Sequence, residues 1–162
     1  MQNISQYLAM LILNIAAFAF LVIATVTDIK NNTISIGLFP SLLIVAFVLK
    51  AGCFGAQWPL CVLTGIGLGA GFLVPAMLGR GGGGDAIMLC CLGLCFGPYV
   101  MFVVLLGMFV GILLIGIYKL IKEKLSAIGI IEVITMDLPM APFALFGFIT
   151  YMAVEQIWGV ML

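Results

Sequence analysis

The sequence contains no histidine, and this absence excludes several kinds of active site. Neither a Ser-His-Asp triad nor a histidine-ligated metal centre can be built from this chain. Charge is also scarce, because charged residues make up 7% of the chain and the net charge is zero. A nucleic-acid-binding domain carries a basic patch, so this balance argues against a nucleic-acid partner.

The low charge accompanies a hydrophobic fraction of 65% and a mean hydropathy of +1.40. A soluble domain carries about 25% charged residues, so this chain has too little polar surface for water. We therefore predict an all-α integral membrane protein, in which residues 1–162 form one domain embedded in the lipid bilayer. The first apolar run, Tyr7–Thr27, is too long for a signal-peptide core and is predicted to be a retained helix.

Cysteine occurs five times, but no two cysteines form a CxxC pair. A zinc ribbon or a thioredoxin-type site is therefore not expected. Cys90, Cys91 and Cys95 lie inside an apolar run, where cysteine packs as a small hydrophobic residue. We expect neither a metal ion nor an organic cofactor.

Apolar segments predict a bundle of six transmembrane helices, since about 20 residues cross the hydrocarbon core. The predicted helices are Tyr7–Thr27, Ile34–Leu49, Trp58–Leu78, Asp85–Phe96, Tyr99–Tyr118 and Pro139–Trp158. Pro40 is predicted to kink the second helix, and Gly97-Pro98 to separate the fourth from the fifth. The segment Lys119–Asp137 carries most of the remaining charge and is predicted to be an amphipathic segment lying in the membrane interface.

The six-helix arrangement also sorts the basic residues. Lys30, Arg80, Lys119, Lys122 and Lys124 fall on one side of the membrane, and Lys50 falls on the other. The positive-inside rule makes the first side cytoplasmic, which predicts a multi-pass protein of the cytoplasmic (inner) membrane with both termini outside. Asp28 and Asp85 are then both expected at cytoplasmic helix ends.

A glycine-rich loop at this cytoplasmic face, residues 79–84, precedes Asp85. The fourth predicted helix has about 12 residues and covers only about 18 Å, less than a hydrocarbon core of about 30 Å. The loop is therefore predicted to dip below the membrane surface and to line a water-accessible pocket near Asp85. The loop satisfies a GxGxxG pattern, but it follows a helix rather than a strand, so a dinucleotide site is not expected.

Asp28 and Asp85 each have an ordinary interpretation, as a solvated residue at a helix end and as a helix N-cap. However, the chain has only six acidic residues, and ionisable groups at membrane depth are costly and usually functional. Two nearby carboxylates retain one proton between them, so one can activate water while the other polarises a carbonyl. We predict that the two aspartates form an aspartyl-protease site, and that Gly82, Gly83 and Gly84 let a peptide backbone approach it.

Small and polar residues inside the apolar runs suggest helix packing. The pairs Gly65/Gly69, Gly67/Gly71 and Gly107/Gly111 have the spacing that lets membrane helices approach closely. Asn14 is interpreted as a polar contact between helices, and Glu155 as a lone acid near the outer interface.

Several motifs resemble one protease family. Gly82-Gly83-Gly84-Asp85 matches the GxGD motif of intramembrane aspartyl proteases. Asp28-Ile29-Lys30 followed by Ile34 looks like the first aspartate motif of the prepilin peptidases within that group. The stretch 92–98 looks like the one after their second aspartate, and Leu138–Phe143 is similar to their proline-rich entry into the last helix.

This resemblance implies an endopeptidase that removes the basic leader of type IV prepilins or pseudopilins at the cytoplasmic membrane face. Asp28 and Asp85 would be the catalytic pair, with Lys30 and the glycines at 82–84 as supporting residues. Because few residues join the first two helices and CxxC pairs are absent, the chain resembles the short, peptidase-only form of tight-adherence (Flp-type) pilus systems. Ser35-Ile36 replaces the family's Pro-Asn, and Ile87 replaces its lysine, which is expected to affect loop geometry or substrate choice.

Three other functions stay open on the sequence. A membrane transporter or channel would use Asp28 and Asp85 as ion sites, but no internal repeat is visible. A non-catalytic assembly factor would tolerate asparagine at both positions. A presenilin-like intramembrane protease would place the aspartates deeper in longer helices and carry a Pro-Ala-Leu motif, which this sequence lacks.

Overall fold

The computed structural model describes residues 2–31, 34, 37, 39–53, 58–78, 82–123 and 140–158. Over these residues the chain forms five helices and no strand. The helices are α1 (Gln2–Asn31), α2 (Phe39–Cys53), α3 (Trp58–Met77), α4 (Gly83–Glu123) and α5 (Ala141–Trp158). The predicted interfacial segment lies mostly outside the described residues, and its first five residues belong to the end of α4.

Helix boundaries near the second predicted helix differ from the prediction. α1 extends to Asn31, and α2 begins at Phe39 rather than at Ile34. The predicted kink at Pro40 is wrong, because Pro40 is the second residue of α2. Proline is favoured in the first turn of a helix, where its missing N–H leaves no helical hydrogen bond unmade.

α4 is interrupted at Gly97, whose backbone has φ 78° and ψ −174°. A positive φ favours glycine, which has no Cβ to clash with the backbone, and Pro98 cannot donate a helical hydrogen bond. The break predicted at Gly97-Pro98 is therefore confirmed. It divides α4 into a first limb, residues 83–96, and a second limb, residues 98–123.

The chain reverses direction at this break, as the contacts of the two limbs with α5 show. The second limb contacts α5 through Gly107 with Gly147 and through Gly111 with Phe143. Residue numbers along the second limb rise from 107 to 111 while those of their α5 partners fall from 147 to 143, so the second limb is antiparallel to α5. The first limb runs the opposite way. Asp85, near its start, interacts with Asp28, which is bonded to the first residue of α5, and the Phe96 ring at its end packs 5.3 Å from that of Phe148.

Glycines bring the helices into backbone contact on two sides of α4. Gly65 of α3 lies against Gly93, and Gly69 lies against Cys90, so the close approach predicted for this pair is confirmed. At Gly67 and Gly71, a Cβ would meet none of the described atoms within 4 Å, so the packing predicted there is not seen among the described residues. Gly65 and Gly69 therefore occupy the face of α3 that packs against α4, and Gly67 and Gly71 lie on another face.

The structure is compatible with an all-α membrane protein, but it does not support six spans. Over the described residues, Tyr7–Asn31 and Gly83–Tyr118 are long and apolar enough to cross a membrane, and the second of these contains the Gly97 break. The other helices are shorter in their apolar length: α2 has 15 residues, which cover about 22 Å of a core of about 30 Å. The all-helical fold is therefore confirmed over the described residues, whereas the predicted count of six spans is not supported.

Candidate active site

Asp28 lies in the last turn of α1 and is buried, with 5% of its surface exposed. Its Oδ2 accepts a hydrogen bond of 3.1 Å from the backbone N–H of Ala141, the first residue of α5. A buried carboxylate is costly without a donor, and the N-terminal end of a helix provides free N–H groups and a favourable dipole. The interpretation of Asp28 as a solvated residue is therefore wrong, because α5 covers it.

Asp85 lies in the first turn of α4, two residues after the helix begins at Gly83. Its backbone N–H donates to the carbonyl oxygen of Gly82 at 3.1 Å, and its half-buried carboxylate accepts a hydrogen bond from the Gly82 backbone. The side chain thus reaches back over the helix start, as the acidic residue of a capping box does. Asp85 is a first-turn residue of α4 rather than the N-cap that the ordinary interpretation assigned.

The fold places the two aspartates at the same end of the helix bundle. Their carboxyl groups are close enough to interact electrostatically, although 57 positions separate them in the sequence. Ile34, a buried residue between α1 and α2, lies against Gly84, immediately before Asp85. This contact links the chain that follows Asp28 to the helix start that carries Asp85.

The three glycines before Asp85 differ in their surroundings. A Cβ on Gly82 would lie 2.8 Å from Asp85 Oδ2, and a Cβ on Gly84 would lie 3.2 Å from Ile34 Cβ. A Cβ on Gly83 would meet nothing within 4 Å among the described residues. A Cβ at Gly82 or Gly84 would therefore displace a neighbouring side chain, whereas a Cβ at Gly83 would displace none of the described atoms.

The rest of the predicted site is exposed or lies outside the described residues. Lys30 is exposed in the last turn of α1, two residues after Asp28. Gly82 and Gly83 are also exposed, and Asp85 itself is half-buried. Residues 79–81 are outside the described part, and the water-filled pocket expected near Asp85 stays a prediction. In the described part of the chain, no three His, Cys, Asp or Glu side chains converge on a position that could hold a metal ion.

The Ala141 N–H is the component of this site that the motifs did not identify. Every residue except proline has a backbone N–H, so a motif defined by side chains does not identify which of them is a donor in the site. A local signal was nevertheless present, because Pro142 follows directly and proline favours the first turn of a helix. It indicates that free N–H groups occur near residue 141, but not that Asp28 meets them.

Comparison with known proteins adds one finding to this geometry. The model of the type IV leader peptidase family matches residues 15–117, a range that contains both aspartates and the glycines between them. No curated protein and no solved structure matches the chain. The matched range covers more than half of the sequence and agrees with the resemblance of its motifs to the prepilin peptidases. Members of such a family are peptidases that act on prepilin-like leader peptides, and this chain belongs to the type IV leader peptidase family.

Proposed function

We propose that the protein is a membrane aspartic endopeptidase that removes the N-terminal leader of type IV prepilin-like substrates at the cytoplasmic membrane face. Family membership supports the reaction class. The observation that carries the mechanism is the convergence of Asp28 and Asp85 at one end of the bundle, within electrostatic reach of each other. A pair of acids brought together by tertiary packing has a chemical use that two isolated helix-end residues do not have.

The reaction needs one ionised and one protonated carboxyl group, and two nearby acids supply both because like charges disfavour double ionisation. The ionised carboxylate removes a proton from a water molecule, whose oxygen attacks the carbonyl carbon of the scissile peptide bond. The protonated carboxyl group donates its proton to the carbonyl oxygen, giving a neutral tetrahedral diol. When the C–N bond breaks, the aspartate that took the water proton donates it to the leaving nitrogen. One hydroxyl of the diol returns its proton to the other aspartate, so the pair regains its starting state.

In this mechanism the two acids share one proton, so neither aspartate is assigned a single role. Their supports differ, however. Asp28 is held by the first N–H of α5, while Asp85 is held by Gly82 of its own helix start. Asp28 is the more enclosed of the two, with 5% exposure, and Asp85 borders the exposed glycines. We therefore expect the substrate to approach from the side of Gly82 and Gly83, with Lys30 at the edge of the site.

The short connection between α1 and α2 supports the peptidase-only form of the enzyme. Only residues 32–38 separate the end of α1 from the start of α2. That segment is too short to hold an inserted cytoplasmic domain, which agrees with the proposed relationship to tight-adherence (Flp-type) pilus systems. We further propose a multi-pass arrangement in the inner membrane with both termini outside, on the basis of the distribution of lysine and arginine.

A gel-shift cleavage assay tests this function. The chain is co-expressed with prepilin-like precursors encoded near its own gene, beside the Asp28→Asn and Asp85→Asn variants. Each variant keeps the size of the side chain but removes the acid, so each is expected to abolish the mobility shift of the precursor. Glu155→Gln is the control, since it neutralises an acid near the other end of α5 from Ala141 and is expected to leave cleavage unchanged.

Immunoblots of membrane fractions must show equal amounts of every variant. Cleavage that persists in either aspartate variant would refute the two-aspartate mechanism. Absence of cleavage by the wild-type protein with every precursor would refute the proposed substrate class.

A further inference from the structure

A second polar site lies between α1 and α5, away from the two aspartates. It is a cavity of about 270 Å³, far larger than the roughly 30 Å³ that one water occupies in the liquid. Its lining residues are Tyr7, Met10, Leu11, Asn14, Ile15, Met152, Glu155 and Gln156. Asn14 precedes Asp28 by 14 helical positions, which correspond to about 21 Å along the axis of α1. The cavity therefore cannot belong to the catalytic pair.

The polar groups of this cavity are joined across the helix interface. Asn14 is buried, with 6% of its surface exposed, and its Nδ2 donates to Glu155 Oε2 at 3.4 Å. The Tyr151 hydroxyl is within hydrogen-bonding reach of both side chains. Asn14 Oδ1 is buried and accepts no hydrogen bond from any described residue. The sequence interpretation of Asn14 as an interhelical contact is confirmed, and Glu155 is its partner rather than a lone acid.

The cavity therefore contains an acidic side chain that no basic residue of its lining compensates. Asn14 Oδ1 and the two oxygens of Glu155 are acceptors, and none of the residues that line the cavity is basic. A buried acceptor without a partner costs free energy, and a carboxylate at membrane depth is usually compensated by an opposite charge. The occupant that satisfies these groups carries a positive charge and several N–H donors.

We propose that this cavity binds the primary ammonium group of an amphiphile, as in the head group of phosphatidylethanolamine. An ammonium group has three donors and no acceptor, so it can donate to the unpaired Asn14 Oδ1 and compensate the carboxylate of Glu155. A bare metal ion fits less well, because hard cations take six or more oxygen ligands and most of this lining is apolar. The apolar part of the amphiphile lies along Leu11 and Ile15, which are 44% and 59% exposed beside the cavity.

Head-group dependence of thermal stability tests the proposal on the purified full-length chain in detergent. Unfolding is followed with added phosphatidylethanolamine, with phosphatidylcholine of the same acyl chains, and with hexylammonium chloride. Methylation of the choline head group removes every N–H donor but keeps the charge. Binding to the folded state raises Tm, so phosphatidylethanolamine is expected to raise it by at least about 2 °C more than phosphatidylcholine.

Two variants locate the effect. Glu155→Gln removes the charge and is expected to abolish the difference between the two lipids. Thr64→Val, on α3 away from the cavity, is expected to retain it, because the Thr64 hydroxyl donates within its own helix to the Leu60 carbonyl at 2.7 Å. If Glu155→Gln does not fold, Asn14→Ala replaces it, and the lipid comparison on the wild-type protein stands independently.

Equal stabilisation by the two lipids would overturn the proposal, as would a difference that survives in Glu155→Gln. A comparable rise in Tm with hexylammonium alone would support the ammonium site while identifying a free alkylammonium, rather than a lipid, as a sufficient ligand. None of these results depends on peptidase activity, so the proposed function and this site can fail separately.

Discussion

Gly82→Ala should impair cleavage without unfolding the protein. Gly83→Ala should leave both cleavage and folding intact. The Cβ of Gly82→Ala would lie 2.8 Å from Asp85 Oδ2. Non-bonded carbon atoms settle at about 3.5 to 4.0 Å, so an oxygen this close must move by about half an ångström or more. The atom that yields is the end of the Asp85 side chain, because the helix backbone is more rigid. Misplacement of a reacting group by about 1 Å can cost about 100-fold in rate, so we expect kcat/KM to fall by about 10- to 100-fold.

Gly83→Ala is the matched control for this change. Gly83 adjoins Gly82, is exposed at the start of α4, and has no described atom within 4 Å of the Cβ position. Its φ is not positive, so alanine should be tolerated and should stabilise the helix by about 0.4–1 kcal/mol. The assay is cleavage of a purified precursor in detergent, with Tm measured on the same preparations. Equal kcat/KM for the two variants would refute the role of Gly82 in placing Asp85, and a large fall in Tm for Gly82→Ala would show that the defect is one of folding.

Two further substitutions test the packing. Gly107→Ala would place a Cβ 2.5 Å from Gly147 Cα, so it should force α4 and α5 apart and cost about 1–3 kcal/mol. Gly116→Ala on the same limb would meet none of the described atoms within 4 Å and should leave Tm unchanged or raise it. Equal Tm values for these two variants would contradict the close approach of α4 and α5. Thr25→Val should leave stability unchanged or raise it by about 1 kcal/mol, because Thr25 Oγ1 is buried without a partner among the described residues. A loss of Tm in Thr25→Val would show that this hydroxyl has a partner, such as a bound water.

Local sequence chemistry predicted the break in α4 and the two candidate acids. Gly97-Pro98 combines a residue that accepts positive φ with one that cannot donate a hydrogen bond, so a break was predictable from those two residues. The second helix was predicted less well. Its apolar run starts at Ile34, but the helix starts at Phe39, because apolar character does not distinguish a helical residue from a loop residue that packs into the core.

Hydrophobic length was the least reliable guide to the membrane arrangement. An apolar run of sufficient length predicts a span, but a run such as Asp85 to Tyr118 is also long enough to fold back on itself. The prediction of separate helices on either side of Gly97-Pro98 already required a reversal there, and the contacts of both limbs with α5 agree with it. The local pattern does not encode which faces of distant helices meet. The same limit applies to Gly67 and Gly71, whose spacing equals that of the packed pair Gly65 and Gly69.

The amino-acid sequence was sufficient to indicate a membrane protein without histidine chemistry, to select Asp28 and Asp85, and to relate their motifs to the leader peptidases. These properties depend on the types of residues present and on motifs of a few neighbouring residues, both of which can be read from the sequence. Tertiary structure alone brought Asp28 beneath the first N–H of α5, set Asp85 within its electrostatic reach, and joined Asn14 to Glu155. Each of these relations pairs residues far apart in the chain. The packing of whole helices decides which distant residues meet, and that packing depends on the summed contacts of many side chains rather than on any one motif.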